Sequence, residues 1–195
     1  MFSPDDYKIL FTKWPPTGLA ENIARIVKDG LFNEYYKLHY WAPKRGKAGK
    51  RKKHFRLEHK GCVTTDKGGS NRFEEHLCMA LWNQSQRKKL TWPSRNTGNI
   101  QLRDYQFPLQ AYDTDTGIGE VDLIGVTDCG QLTVIEAKVL NNSSNDTPLY
   151  ALVEGLRYTA IVQANLGTII KEAKERWDII ILDEPPLLQL IAPKS

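Results

Sequence analysis

Three charged residues in the stretch GEVDLIGVTDCGQLTVIEAKV, residues 119–139, have the types and spacing for metal-assisted chemistry: Asp122, Glu136 and Lys138. The stretch reads as two hydrophobic strands joined by a short polar turn. Side chains alternate across a strand, so Glu120 and Asp122 share one face of the first strand. Glu136 and Lys138 share one face of the second. TDCGQ fits a three-residue hairpin loop, Asp128-Cys129-Gly130, with Gly130 supplying the left-handed residue such loops need. Thr127 then faces Gln131, and counting back five residues on each side sets Asp122 opposite Glu136. By the same count Glu120 falls opposite Lys138.

Two carboxylates directly across a ladder have Cβ atoms roughly 5 Å apart and destabilise the pair unless positive charge sits beside them. Lys138 supplies one charge. A divalent cation supplies two and prefers oxygen ligands, and magnesium is commonly held by one or two carboxylates, water and substrate phosphate. That set suits metal-assisted phosphodiester hydrolysis, which needs a polarised phosphoryl group and an activated water. A lysine two residues from a metal carboxylate can orient or deprotonate the water, or stabilise charge in the transition state. Glu136 and Lys138 alone would equally suit a weak ion pair on the wet face of a half-exposed hairpin.

The surrounding pattern predicts what positions these residues. SNRFEEHLCMALWNQSQRKK, residues 70–89, carries Phe73, Leu77, Ala80 and Leu81 at helical spacing, with Ser70 or Asn71 as N-cap. IQLRDYQFPLQAY reads as a strand that Pro108 assigns to an edge or a bulge. After the hairpin, TPLYALVEGLRYTAIVQANLG is a strong helix, capped by Thr147 and ended by Gly167. TIIKEAKER is a further helix. WDIIILDE reads as a strand buried on both faces, and LLQLIAP as a possible final edge strand. This order implies a mixed sheet with helices packed on its faces, an α/β (α+β) fold.

Asp122, then thirteen residues, then Glu136-Ala137-Lys138 on adjacent strands resembles the PD-(D/E)xK nuclease superfamily. The resemblance extends over roughly residues 70 to 183, whose helix, hairpin, helix and strand are similar to that family's α-β-β-β-α-β core. It implies a restriction-endonuclease-like fold and a metal held by Asp122 and Glu136, with Lys138 assisting the attacking water. The family's proline is absent, since Val121 precedes Asp122. Many similar proteins add an acid from the first core helix, which FEEH offers as Glu74 or Glu75. On a helical wheel with Phe73 at zero, Glu74 lies at about 100° and Glu75 at about 200°. The apolar residues centre near 30°, so Glu74, which borders the buried face, is the choice as a further catalytic and metal-binding residue. His76 falls on the far side and is expected at the surface. In the helix after the lysine, Glu154 and Tyr158 are four apart and neighbours on one face. Relatives often carry a polar residue and a tyrosine there to support the site, a role expected also for Glu120. A tyrosine packed on the sheet beside an exposed Glu154 is the plainer reading.

Of 195 residues, 41% are hydrophobic and 26% charged, ordinary for a soluble globular chain with one core. The domain reading is one unit: a helical extension over 1–42, a basic arm over 43–69 and the nuclease-like core over 70–195. No apolar run approaches a membrane span, and MFSPDDYKIL has acids where a signal peptide needs bases. A cytoplasmic protein with no membrane partner is expected. Cys62, Cys78 and Cys129 are widely spaced and odd in number, which argues against a disulfide framework or structural zinc. Residues 44–60, KRGKAGKRKKHFRLEHK, hold nine of the 27 Lys and Arg and one of the 23 acids; the remainder carries 18 bases against 22 acids. Such a block on an acidic body suits a polyanion, DNA or RNA, through phosphate contacts that do not read bases. Lys44, Arg45, Lys47, Lys50, Arg51, Lys52, Lys53 and Arg56 are the expected contacts, with Arg157 near the site.

The leading expectation is therefore a magnesium-dependent nuclease acting on DNA, with manganese as a possible substitute. The alternatives are a nucleic-acid-binding module, or a subunit of a repair, defence or transposition complex that needs a homodimer or protein partner.

Overall fold

The computed structural model describes residues 73–87, 98–109, 119–139 and 148–192. The helices expected over 1–42, the basic segment 43–69 and the caps at Ser70, Asn71 and Thr147 lie outside the described residues. The elements are α1 (Phe73–Arg87), β1 (Ile100–Pro108), β2 (Glu120–Thr127), β3 (Leu132–Ala137), α2 (Pro148–Ala164), α3 (Leu166–Trp177) and β4 (Leu187–Ile191). The four strands form one mixed sheet in the order β1-β2-β3-β4. The first two pairings are antiparallel and the last is parallel, as a crossover through α2 and α3 requires. The fold is α+β, a mixed sheet flanked by helices.

The hairpin register follows its turn. Thr127 N–H donates to Gln131 O at 2.9 Å and Gly130 N–H to Thr127 O at 2.9 Å. Gly130 has φ 92°, the left-handed conformation expected of it. The ladder then runs Val126↔Leu132 through Leu123↔Ile135, and its next step sets Asp122 opposite Glu136. Among the described strands β1 lies at the sheet edge and ends at Pro108, as that proline led one to expect, and it carries a separate bulge between Leu102 and Asp104.

Burial on both faces of β2 and β3 gives two cores. Ile124, Val126, Leu132 and Val134 pack with Ile161, Val162, Ile169 and Ala173 of α2 and α3. Leu102, Tyr105, Leu123 and Ile135 pack with Cys78 and Met79 of α1. At roughly 25 cal/mol per Å², each such aliphatic side chain contributes about 1.5–3 kcal/mol.

Three expectations are corrected. The buried stripe of α1 centres on Cys78 and Met79, not on the predicted Phe73 and Ala80, which are exposed. Trp82, its ring tilted 52° to that of Tyr105 with centroids 5.5 Å apart, helps fix that rotation. WDIIILDE is not a strand: Asp178 takes the left-handed C-cap of α3, and Ile180 is 76% exposed. Its tether to the sheet is Leu182 N–H to Gly130 O at 2.9 Å, and the place beside β3 belongs to Leu187–Ile191. Finally, the helix break falls at Asn165, not Gly167. The Asn165 side chain donates to Ile161 O at 2.8 Å and competes with the backbone ladder.

Gly130→Ala tests the turn. It forces a Cβ into the left-handed region, 3.2 Å from Ile180 O. A loss of about 1–2 kcal/mol is expected in urea unfolding.

Candidate functional site

The site lies where β2 begins and β3 ends, between the two helix layers. Asp122 is 8% exposed, Glu136 2% and Lys138 7%, so all three are buried charges. The Asp122 carboxylate is held from both flanking strands: Oδ1 accepts Gln106 Nε2–H at 3.2 Å and Oδ2 accepts Ala137 N–H at 2.9 Å. The Asp122 carboxylate also raises the Glu136 pKa by its charge. Glu136 Oε2 is buried with no hydrogen-bond partner. Lys138 continues the β3–β4 ladder through its N–H to Ile191 O at 2.8 Å.

Lys138 Nζ gathers the remaining acids. It lies 3.1 Å from Glu154 Oε2, 3.4 Å from Glu136 Oε1 and 3.4 Å from Glu74 Oε2. Glu74 stands one helical turn before Cys78 and so shares the buried stripe of α1. Glu154 comes from α2, on the other helix layer. Tyr158, one turn later, donates its hydroxyl to Glu154 Oε1 at 2.9 Å. Gly119, at φ 92°, brings the entry to β2 so close to that hydroxyl that a methyl group there would collide with it. The i, i+4 pair thus faces the site, and the plainer reading of an exposed Glu154 is set aside.

The electrostatics follow from burial. Glu136 is pushed up to about 10, first by desolvation and then by the Asp122 and Glu154 carboxylates, with Lys138 opposing. Asp122 is also raised by burial, against the Ala137 N–H and Lys138. Desolvation alone would lower the Lys138 ammonium, but Glu154, Glu136, Glu74 and Asp122 outweigh it and hold the proton more firmly than usual. Burial and Glu154 raise the Tyr158 phenol, which stays a hydrogen-bond donor. The Cys78 thiol, raised first by burial and then by the nearby carboxylates, is a packing residue and no nucleophile.

Other expected residues fall elsewhere. Glu120 is exposed at the start of β2 opposite Pro108. Arg157 lies over the Tyr158 ring at 5.9 Å, half-buried beside the site. His76, expected at the surface, is half-buried with Nε2 enclosed, because the buried stripe of α1 is rotated. Lys44 to Arg56 lie outside the described residues. Gln106 was missed: a glutamine in a strand carries no sequence signal that it faces a carboxylate. Among the described residues no three or more His, Cys, Asp or Glu side chains converge as a metal-ligand set, and no helix is long and apolar enough to cross a membrane. Searches of protein-family models, curated proteins and solved structures find no match.

The raised Glu136 value gives a stability prediction. The native state keeps a proton that the unfolded chain, at an ordinary 4.5, releases. Between that pH and about 10 the unfolded state binds fewer protons, so stability falls as pH rises. In chelator, the wild-type thermal midpoint should drop from about pH 5 to about pH 9. Glu136→Gln, neutral throughout, should flatten that fall and melt above wild type near pH 8, as read by circular dichroism at about 1-unit pH steps.

Proposed function

We propose that this chain is a divalent-metal-dependent nuclease that hydrolyses phosphodiester bonds of DNA, on a restriction-endonuclease-like core of the PD-(D/E)xK kind. The observation that carries the proposal is the buried Asp122–Glu136 pair with Lys138 beside it. Two carboxylates are pressed together and driven towards protonation, and Glu136 Oε2 has no hydrogen-bond partner. A site so short of positive charge fits a hard cation that takes one or two protein carboxylates and fills its remaining positions with water and phosphate. Asp122 and Glu136 would hold magnesium or manganese. Glu74, expected as a third ligand, meets the site through Lys138.

The bound metal would supply a Lewis acid for the phosphoryl oxygen and a lowered pKa for water. The chain's residues supply the rest. Lys138, holding its proton, orients the attacking water and stabilises negative charge developing on the phosphoryl oxygens. It does not act as the base, and the proton lost by that water passes to solvent. Glu154, fixed by Tyr158, keeps the ammonium in place. The basic segment Lys44–Lys60 grips the phosphate backbone and offsets repulsion between DNA and the acidic site. The products carry 5′-phosphate and 3′-hydroxyl ends, as the family resemblance implies. A second reading, a nucleic-acid-binding module alone or within a complex, is favoured by the way Lys138 is already satisfied by three carboxylates.

Incubation with linear and circular DNA, with magnesium or chelator, separates the two. Cleavage should require the metal, and Asp122→Asn and Lys138→Met should each lower it on the order of 10²–10³-fold while far-ultraviolet spectra stay unchanged. Salt-sensitive DNA binding with no cleavage in magnesium or manganese would overturn the proposal in favour of the second reading. In the binding assay, alanine at Lys50, Arg51, Lys52 and Lys53 should reduce the slope of log K against log salt by up to about 3.6.

A further inference from the structure

Among the described residues, only two that are not glycine have positive φ, Gln106 at 47° and Asp178 at 50°. Asp178 caps the C-terminus of α3, where left-handed backbone is ordinary. Gln106 lies inside β1, past the bulge at Leu102/Asp104, where the register is regular and extended backbone is the rule. A Cβ there is sterically penalised, so the chain keeps a side chain at a position that disfavours one.

The side chain reaches across the ladder to Asp122. Tyr105 and Phe107 pair with Leu123 and Val121, which sets Gln106 opposite Asp122. Its amide donates to Asp122 Oδ1 at 3.2 Å, while Ala137 N–H from the other flanking strand holds Oδ2 at 2.9 Å. The two donors fix the plane of a carboxylate that would otherwise rotate in its pocket. Glycine would relax the backbone but has no amide. Asparagine tolerates left-handed backbone better but is a methylene too short.

We propose that Gln106 is a positioning residue for Asp122, its left-handed backbone retained because it aims the amide at the carboxylate. The consequence for metal binding rests on the reading of Asp122 as a metal-holding residue. A carboxylate already clamped gives up less freedom on taking a cation, so the clamp raises affinity.

The test has a metal-free and a metal-loaded arm, both without DNA. In chelator, thermal midpoints are measured for Gln106→Ala, Asp122→Asn and the double variant. The double should fall by less than the two single shifts together, because both remove one interaction. Additive shifts would overturn the proposal. Gln106→Gly should melt roughly 2–4 °C above Gln106→Ala, since both lack the amide and only alanine keeps the strain. Equal or lower midpoints for glycine would overturn the strained-backbone part. Titration calorimetry with magnesium then reads the positioning role: Gln106→Ala should weaken affinity about tenfold. Unchanged affinity beside a coupled midpoint would make the contact structural only and overturn the proposal. If the wild type binds neither magnesium nor manganese, the nuclease reading falls, and the coupled or additive midpoints still decide whether Gln106 holds Asp122.

Discussion

Two carboxylates buried side by side are the constraint to which the rest of this molecule answers. An antiparallel ladder whose turn ends at Gly130 sets Asp122 opposite Glu136, because the Thr127–Gln131 and Gly130–Thr127 hydrogen bonds fix the register from the turn onward. Register and charge repulsion are thus coupled. The turn fixes the register, the register fixes the repulsion, and the surroundings must offset it. They do so incompletely. Gln106 and Ala137 give hydrogen bonds to Asp122, and Lys138 gives one positive charge to a group that also contains Glu74 and Glu154. The shortfall appears as an Asp122 carboxyl raised from its ordinary value and a Glu136 carboxyl pushed up to about 10.

The two helix layers are joined through that same shortfall. α1 and α2 pack against separate hydrophobic clusters, yet each sends one glutamate to the same ammonium. Lys138 stands just past the last residue of β3, where a side chain can be reached from both layers. A buried ion pair is weak evidence of stability, because desolvation offsets much of the Coulomb gain. Three carboxylates on one lysine are better understood as placing Glu74 and Glu154 in relation to Glu136 than as a source of net free energy. Tyr158 and the close approach at Gly119 extend this placement to the start of β2.

How much of this was legible in the sequence depends on the range of the interaction. The hairpin register was readable because it is local: TDCGQ fixes the turn and the rest is counting. The Glu154–Tyr158 neighbourhood was readable for the same reason, as an i, i+4 spacing. Glu74 was chosen over Glu75 from a wheel whose centre was wrong, since Cys78 and Met79 rather than Phe73 and Ala80 are buried. Glu74 nonetheless stands one turn before the buried Cys78, and its Oε2 comes within 3.4 Å of Lys138 Nζ. Long-range competition was not readable. WDIIILDE and LLQLIAP both suit a place beside β3, and only packing decides that Leu187–Ile191 takes it. Gln106 was hidden for a further reason: its role depends on a left-handed backbone inside a strand, which glutamine itself does not announce.

The charge state of Lys138 narrows the chemistry. A lysine meant to accept a proton near neutrality is desolvated away from carboxylates, or set beside another cation, so that its pKa falls. Lys138 is desolvated but faces Glu154, Glu136 and Glu74 within 3.4 Å, and their fields prevail. In the proposed reaction the ammonium is therefore a fixed positive charge rather than a base. A metal placed on Asp122 and Glu136 would weaken the hold of Glu136 on that ammonium, since one carboxylate would serve two cations. Glu154, the closest partner and itself anchored by Tyr158, would then retain it. Two of the three carboxylates divide the work: Glu136 is the one most short of positive charge, while Glu154 would keep the lysine within reach once that shortage is met.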